Sequence, residues 1–257
     1  MSYPDAESRY GRLVGLVDTS ALAPRRVTLI GLGAMGHPVA NQLARHGVGR
    51  SPPGQIRLID GDHVSARNLV GTEYRLAHLG MPKAQAAAEM IAEINDEINV
   101  AYWDQMLTRD DVSKVAELAR QSDLLGLLAD SFELMLDISD YCANLCPQVI
   151  AAFGPRADFA EVAFSVPGGR PISSVVSRRR REAIAKPRAL GCDTAFIATF
   201  VSSLCLRLLL GDAKGSELLT CYADAPLFLI GVRHSWIFED QPEDTVRIIV
   251  NAQIETP

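Results

Sequence analysis

Val27-Thr28-Leu29-Ile30-Gly31-Leu32-Gly33-Ala34-Met35-Gly36 is the stretch that sets the fold. Four residues suited to a strand end on Gly31. A GxGxxG run then leads into Pro38–His46, where Val39 and Leu43 share one helical face. Strand, glycine loop and helix together let the backbone approach a phosphate and set a helix N-terminus against negative charge. The loop alone suits a nicotinamide enzyme as well as other nucleotide binders. Asp60, at the end of the next strand, meets a ribose in either case.

Working outward, Ser51-Pro52-Pro53-Gly54 reads as a loop and Ile56–Ile59 as a second strand. A helix is predicted over 82–95, rich in Ala, Gln and Glu, with Pro82 near its start where the missing N–H is harmless. Val100–Trp103 reads as a strand, Asp111–Gln121 as a helix and Leu124–Ala129 as an apolar strand ending at Asp130. A helix over 132–146 and a strand over Gln148–Phe153 follow. This alternation predicts a mostly parallel sheet covered on both faces. Past residue 160 the pattern changes. Glu161–Val166 alternates like a strand, Ser177–Arg188 is basic, and Leu227–Phe238 with Thr245–Ile254 read as an antiparallel pair. Ala195–Leu210 is the longest apolar stretch. Because it holds Thr199, Ser202, Ser203 and Arg207, it reads as a buried helix and not a membrane span. No linker interrupts the chain, so one domain is expected over 1–257. It comprises an N-terminal helical segment (1–24), a nucleotide-binding part (25–160) and a C-terminal part (161–257).

The chain has 257 residues, 48% of them apolar, enough for a sizeable core. A net charge of −6 argues against a general nucleic-acid binder. The polar start Met1–Glu7 predicts no secretory leader. Five cysteines, at 142, 146, 192, 205 and 221, form no CxxC pair, which predicts reduced thiols in a cytoplasm and no structural zinc. Cys142 and Cys146, one helical turn apart, read as buried thiols, and Cys205 and Cys221 as core residues.

Four further motifs narrow the chemistry. Asp60-Gly61-Asp62-His63-Val64-Ser65-Ala66-Arg67-Asn68-Leu69 is similar to the D-x-D-x-V-x-x-x-N-L motif of the ThiF/MoeB family, adenylyltransferases related to the ubiquitin-activating enzymes. Gly80-Met81-Pro82-Lys83 resembles that family's G-x-x-K. Leu127-Leu128-Ala129-Asp130 resembles its apolar strand ending in a magnesium-binding Asp, and Ser8-Arg9-Tyr10-Gly11-Arg12 its R-Y-x-R. The resemblance runs from about residue 8 to 211 in the family's order. It implies an α/β, Rossmann-like three-layer fold with a mostly parallel sheet and antiparallel C-terminal strands. It also implies ATP- and Mg2+-dependent adenylation of the C-terminal carboxylate of a ubiquitin-like or sulfur-carrier protein or peptide. The expected protein is a homodimer without nucleic-acid or membrane partners.

The same resemblance assigns roles. Gly31, Gly33 and Gly36 form the phosphate loop, Asp60 holds the ribose, Asn68 and Lys83 act on the phosphates, and Asp62 lines the nucleotide site. Asp130 binds magnesium, and Arg12 reaches into the neighbouring subunit's site. Cys192, just before the long helix, stands where some members carry the activated acyl group. A helix N-terminus favours its thiolate and Asp193 opposes it. Elementary chemistry agrees with the set. An attacking carboxylate is already ionised near neutral pH, and a Lys with a metal stabilises charge passing to pyrophosphate. Bland readings are a solvated helix residue for Lys83 and a helix cap for Asp130.

The chain departs from the pattern at Gly71 and Thr72, where the family has Arg and Gln, and at Ser131, often Asn. Arg67 or Arg75 is the expected substitute cation. Two rival readings stand. A nicotinamide-dependent oxidoreductase leaves Asn68, Lys83 and Asp130 without roles. A non-catalytic partner subunit is favoured by Gly71 and opposed by Lys83 and Asp130.

Overall fold

The computed structural model describes residues 9–14, 16–153, 159–175, 191–211 and 216–222. Among these, the strands are β1 (Arg26–Ile30), β2 (Gln55–Ile59), β3 (Val100–Trp103), β4 (Leu124–Leu127), β5 (Gln148–Phe153), β6 (Phe159–Ser165) and β7 (Ser216–Tyr222). The helices are α1 (Thr19–Leu22), α2 (Gly36–Arg45), α3 (Asn68–Gly71), α4 (Lys83–Ile94), α5 (Val112–Arg120), α6 (Phe132–Tyr141), α7 (Ile172–Val175) and α8 (Gly191–Leu210).

All seven strands lie in one sheet, in the order β3-β2-β1-β4-β5-β6-β7. The first five are mutually parallel, with Leu29 opposite Leu58 and Ile30 opposite Leu127. β6 and β7 run antiparallel. The fold is therefore α/β, with a mostly parallel sheet and antiparallel C-terminal strands. The strand order reverses between β1 and β4, which opens a crevice at the carboxyl ends of those strands.

β1 reads as an unbroken apolar run because both its faces are covered. Val27 and Leu29 face a core shared with α2, α4 and α8, while Ile30 faces a second core shared with α5 and α6. Its one polar inward residue, Thr28, bonds Ser122 Oγ at 2.8 Å. Ala84 and Ala87 on α4 and Ala40 and Ala44 on α2 are buried together, and small side chains let these two helices approach closely. On α8, Ile197, Ala198, Val201, Cys205, Leu208 and Leu209 are buried in the first core. The Ser202 hydroxyl turns back to the Ala198 carbonyl at 2.6 Å, so that a polar group is satisfied inside the helix. No helix among the described residues is long and apolar enough to cross a membrane.

Several predicted boundaries move. β4 stops at Leu127, two residues short of the predicted end. Leu128 N–H still donates to Ile30 O at 2.8 Å, and the chain then leaves the sheet as the crevice opens. α6 ends at Tyr141, not 146, with Cys142 as its C-cap. Cys142 and Cys146 are nonetheless both buried, and burial pushes their thiols up to about 11 and about 12. β7 was absent from the sequence reading. The predicted strands Leu227–Phe238 and Thr245–Ile254 and the basic Ser177–Arg188 lie outside the described residues. So does the side chain of Cys221, whose backbone lies in β7.

Candidate nucleotide site

The three glycines of the loop do different work. Gly31 has φ +87°, and a Cβ there would sit 2.4 Å from Ala129 N, so it lets β1 and the end of β4 converge. At Gly36 a Cβ would lie 1.8 Å from Gly31 O, which closes the turn on itself. A Cβ at Gly33 would meet nothing within 4 Å, so this residue faces open space. Met35, the N-cap of α2, supplies no side-chain acceptor. In the first turn His37 N–H reaches Gly33 O at 3.4 Å and Pro38 has no N–H, so Gly36 N–H is the helix donor suited to an anion.

Asp60 ties the loop to the neighbouring strand end. Its Oδ2 accepts Leu32 N–H at 2.6 Å and its Oδ1 accepts Asp62 N–H at 2.8 Å. Burial raises this carboxyl above its ordinary pKa, opposed by Lys83 and by those two N–H groups. Residues 62–64 and 80–83 pair as a short antiparallel ladder. Val64 N–H donates to Met81 O at 2.8 Å, Gly80 N–H to Val64 O at 2.9 Å and Lys83 N–H to Asp62 O at 2.8 Å. Gly80, at φ +82°, makes the turn. This ladder delivers Lys83, the first residue of α4, to Asp62, where Nζ lies 2.7 Å from Oδ2. Lys83 is only 7% exposed, which removes the solvated alternative.

Asn68 opens α3, and its Oδ1 accepts from Ser65 N–H at 2.8 Å and Ser65 Oγ at 2.9 Å. Gly71 closes α3. A Cβ there would meet nothing within 4 Å, so no backbone demand accounts for glycine at this position. Its carbonyl accepts from Thr194 Oγ1 at 3.4 Å, which lays the first turn of α8 against α3. Cys192 is the second residue of α8, inside the helix and not just before it as the sequence suggests; its side chain is outside the described residues. Arg75 does not turn toward the loop: its Nη1 donates to exposed Glu93 on α4 at 2.6 Å. Arg67 is exposed as the N-cap of α3.

Asp130 lies three residues beyond β4, next to the Ala129 that packs against Gly31. The N-cap of α6 is Ser131, and its side chain makes no capping bond. The R-Y-x-R segment docks on the end of α4. Arg9 donates to Ile94 O at 2.9 Å and Asp96 Oδ1 at 3.0 Å. Asn95 Nδ2 donates to the Tyr10 hydroxyl at 2.7 Å, and Arg50 covers the Tyr10 ring at 4.5 Å. Arg12 is left exposed.

The sequence reading missed a buried group beneath the loop. Tyr74 donates its hydroxyl to Leu32 O at 2.9 Å and stacks on His37 with ring centroids 4.3 Å apart. Asn41 Nδ2 lies 3.2 Å from His37 Nε2 and donates to Glu73 Oε2 at 2.7 Å. Burial, aided by His78, lowers the His37 pKa from 6.5 to about 4, so the ring is neutral. The sign follows directly. The unfolded chain takes up a proton on this residue near pH 6.5 while the folded one refuses it until about pH 4. His37 therefore contributes stability that is full above pH 6.5 and is lost as pH falls toward 4, by roughly 3 kcal/mol. Urea unfolding across this range should show that slope, and His37→Gln should reduce it.

The glycine loop at the strand-order reversal, tied to an acidic residue at the end of β2, defines a doubly wound α/β protein with a crevice at the carboxyl ends of its strands. The chain belongs to the ThiF family, whose model matches residues 8–226. It is 31% identical over 143 residues to adenylyltransferase and sulfurtransferase MOCS3-1 of Zea mays, covering 53% of this chain and 29% of that protein. It is 27% identical over 159 residues to the molybdopterin-synthase adenylyltransferase of Escherichia coli K12, covering 62% and 61%. The chain thus spans a little under a third of one relative and about three fifths of the other. Among solved structures it resembles E. coli MccB with ATP, with a TM-score of 0.68 and 20% identity over 82% of this chain and 65% of that one. At that identity the likeness concerns the fold.

Proposed function

We propose that this chain is an ATP- and Mg2+-dependent adenylyltransferase acting on the C-terminal carboxylate of a ubiquitin-like or sulfur-carrier protein or a peptide. The observation that carries the reading is the buried Lys83 ammonium beside the glycine loop, paired with the half-exposed Asp62. Burying an ammonium costs several kcal/mol unless it is paired. Such a cation, held beside an N–H group suited to an anion, fits a triphosphate and has no role in hydride transfer. The names of the relatives support the same class.

In this reading a carboxylate oxygen attacks the α-phosphorus of ATP, and the bond to the bridging oxygen breaks. Pyrophosphate leaves and an acyl adenylate remains. The glycine loop and the α2 N-terminus hold phosphate oxygens, Lys83 takes charge building on the departing group, and Asp60 and Asn68 orient the nucleotide. Asp130 would hold the magnesium ion. One carboxylate suits the task, since Mg2+ keeps most of its shell in phosphates and water. When bound, the ion neutralises phosphate charge. Arg12 would reach a neighbouring subunit's site in a homodimer. The Cys192 thiolate would attack the acyl carbonyl of the adenylate, forming a thioester as the acyl–phosphate bond breaks and AMP leaves, so Cys192→Ala should keep adenylation and lose any thioester. The buried thiols Cys142, Cys146 and Cys205 suit a reducing compartment such as the cytoplasm.

Calorimetric titration with ATP and magnesium, NADH and NADPH tests the reading. ATP should bind and the nicotinamide nucleotides should bind at least tenfold more weakly; tight NADH binding without ATP binding would overturn it. Gly71 favours a second reading, a non-catalytic subunit that binds nucleotide without turnover. ATP binding with no pyrophosphate exchange on any carrier peptide ending in Gly-Gly would select it.

A further inference from the structure

We infer that Tyr74 is a positioning residue: its hydroxyl, donated to the Leu32 carbonyl at 2.9 Å, fixes the Leu32–Gly33 peptide so that the Gly33 N–H is aimed at the phosphate of a bound nucleotide. The inference rests on the nucleotide reading above and adds a residue to it.

The geometry of a trans peptide carries the argument. Its C=O and N–H point in opposite directions, so fixing one fixes the other. The Leu32 carbonyl is held by Tyr74, and the Gly33 N–H must point away from that ring. The preceding peptide is held separately, since Leu32 N–H is bonded to Asp60 Oδ2 at 2.6 Å. Leu32 is therefore gripped on both sides, while at Gly33 a Cβ would meet nothing within 4 Å. Buried Leu32 and Tyr74 are 0% and 4% exposed, so water is a poor substitute for this bond.

The ring is held in turn. It stacks on buried His37 at 4.3 Å with 20° between the planes. The Asn41–Glu73 bond at 2.7 Å ties the adjoining residue to α2. The same hydroxyl lies 3.3 Å from Lys83 O, so one group touches both the phosphate loop and the first residue of α4. Burial, with Asp60 nearby, raises the phenol pKa, and the group remains a donor at working pH.

Tyr74→Phe keeps the stack and removes the donor. ATP affinity, measured by calorimetry, should fall about tenfold or more while adenosine affinity stays within twofold, because adenosine lacks the phosphate that Gly33 N–H would meet. Substituting 4-aminophenylalanine at position 74 restores an N–H donor and should recover most of the ATP affinity. Lys83→Ala is the control that separates the two readings. If wild type binds ATP and Lys83→Ala does not, but Tyr74→Phe binds ATP like wild type, this inference falls and the nucleotide reading stands. If wild type itself binds no ATP, the nucleotide reading falls and this inference with it. Equal losses for ATP and adenosine would overturn the positioning role in favour of a structural one. Tyr74→His, which keeps an aromatic ring but falls short of Leu32 O, is the second variant; failure of both variants to fold would likewise overturn the inference.

Discussion

Replacing Lys83 with alanine should lower pyrophosphate exchange at least a hundredfold and leave the fold in place. Loss of a charge contact made to a developing anion commonly costs ~3 kcal/mol or more. Lys83 is the cation that the 62–64 and 80–83 ladder delivers beside the loop, and its ammonium is buried 2.7 Å from Asp62. Asp62 is half exposed, so water can solvate its carboxylate once the lysine is gone. Far-UV circular dichroism should therefore match wild type while exchange disappears. Near-normal exchange would mean that the phosphate charge is met elsewhere. The same variant tests the proposed shared site. Mixing Lys83→Ala subunits with Arg12→Ala subunits should restore part of the activity, since each mixed dimer holds one site with both residues intact. No restoration after confirmed subunit exchange would remove Arg12 from the site.

Gly36→Ala should have the opposite signature, a loss of stability that brings nucleotide binding down with it. The new Cβ would lie 1.8 Å from Gly31 O, a backbone atom at the tightest point of the turn. Gly31 has no room to yield, being packed against Ala129. The expected cost is at least ~3 kcal/mol, at the upper end of overpacking penalties, read from the urea midpoint. Gly33→Ala is the contrast. With nothing within 4 Å of its Cβ, it should melt within a few degrees of wild type yet bind ATP more weakly. Equal stability of the two variants would show that the turn relaxes more easily than its packing implies.

These contrasts indicate what a reader of the sequence alone can see. The parallel half is legible because each strand is a short apolar run followed by a helix with its own period. Val27–Ile30 and Ile56–Ile59 fall within β1 and β2 for that reason. Lys83 stands out because a glycine three residues earlier marks a turn. The roles assigned to Asp60, Asn68, Asp130, Arg12 and Cys192 stay proposals, resting on resemblance and placement. Tyr74 and His37 carry no local signal. Each belongs to a segment whose neighbours are polar or mixed, and they meet only because the 72–74 turn folds back beneath α2. Arg75 shows the converse. Its proximity in sequence to Gly71 suggests a replacement cation, but Glu93 on α4 offers a nearer partner. The end of α6 was misplaced because Cys142–Leu145 continues an apolar pattern after the helix has closed at its C-cap. β7 is held by pairing with β6, a tertiary contact that seven residues do not advertise.

The reversal of strand direction after β5 has an architectural consequence. β1, β2, β4 and β5 all finish on the crevice side of the sheet. β6 starts there, with Ala160 opposite Phe153, and β7 comes back to finish there, with Tyr222 opposite Phe159. Phe153 and Tyr222 therefore both end their strands on the edge of the sheet that carries the glycine loop. Sequence added beside Phe153 or Tyr222 would thus enter at the crevice edge of the sheet and leave the pairing of β1 with β2 and β4 as it is.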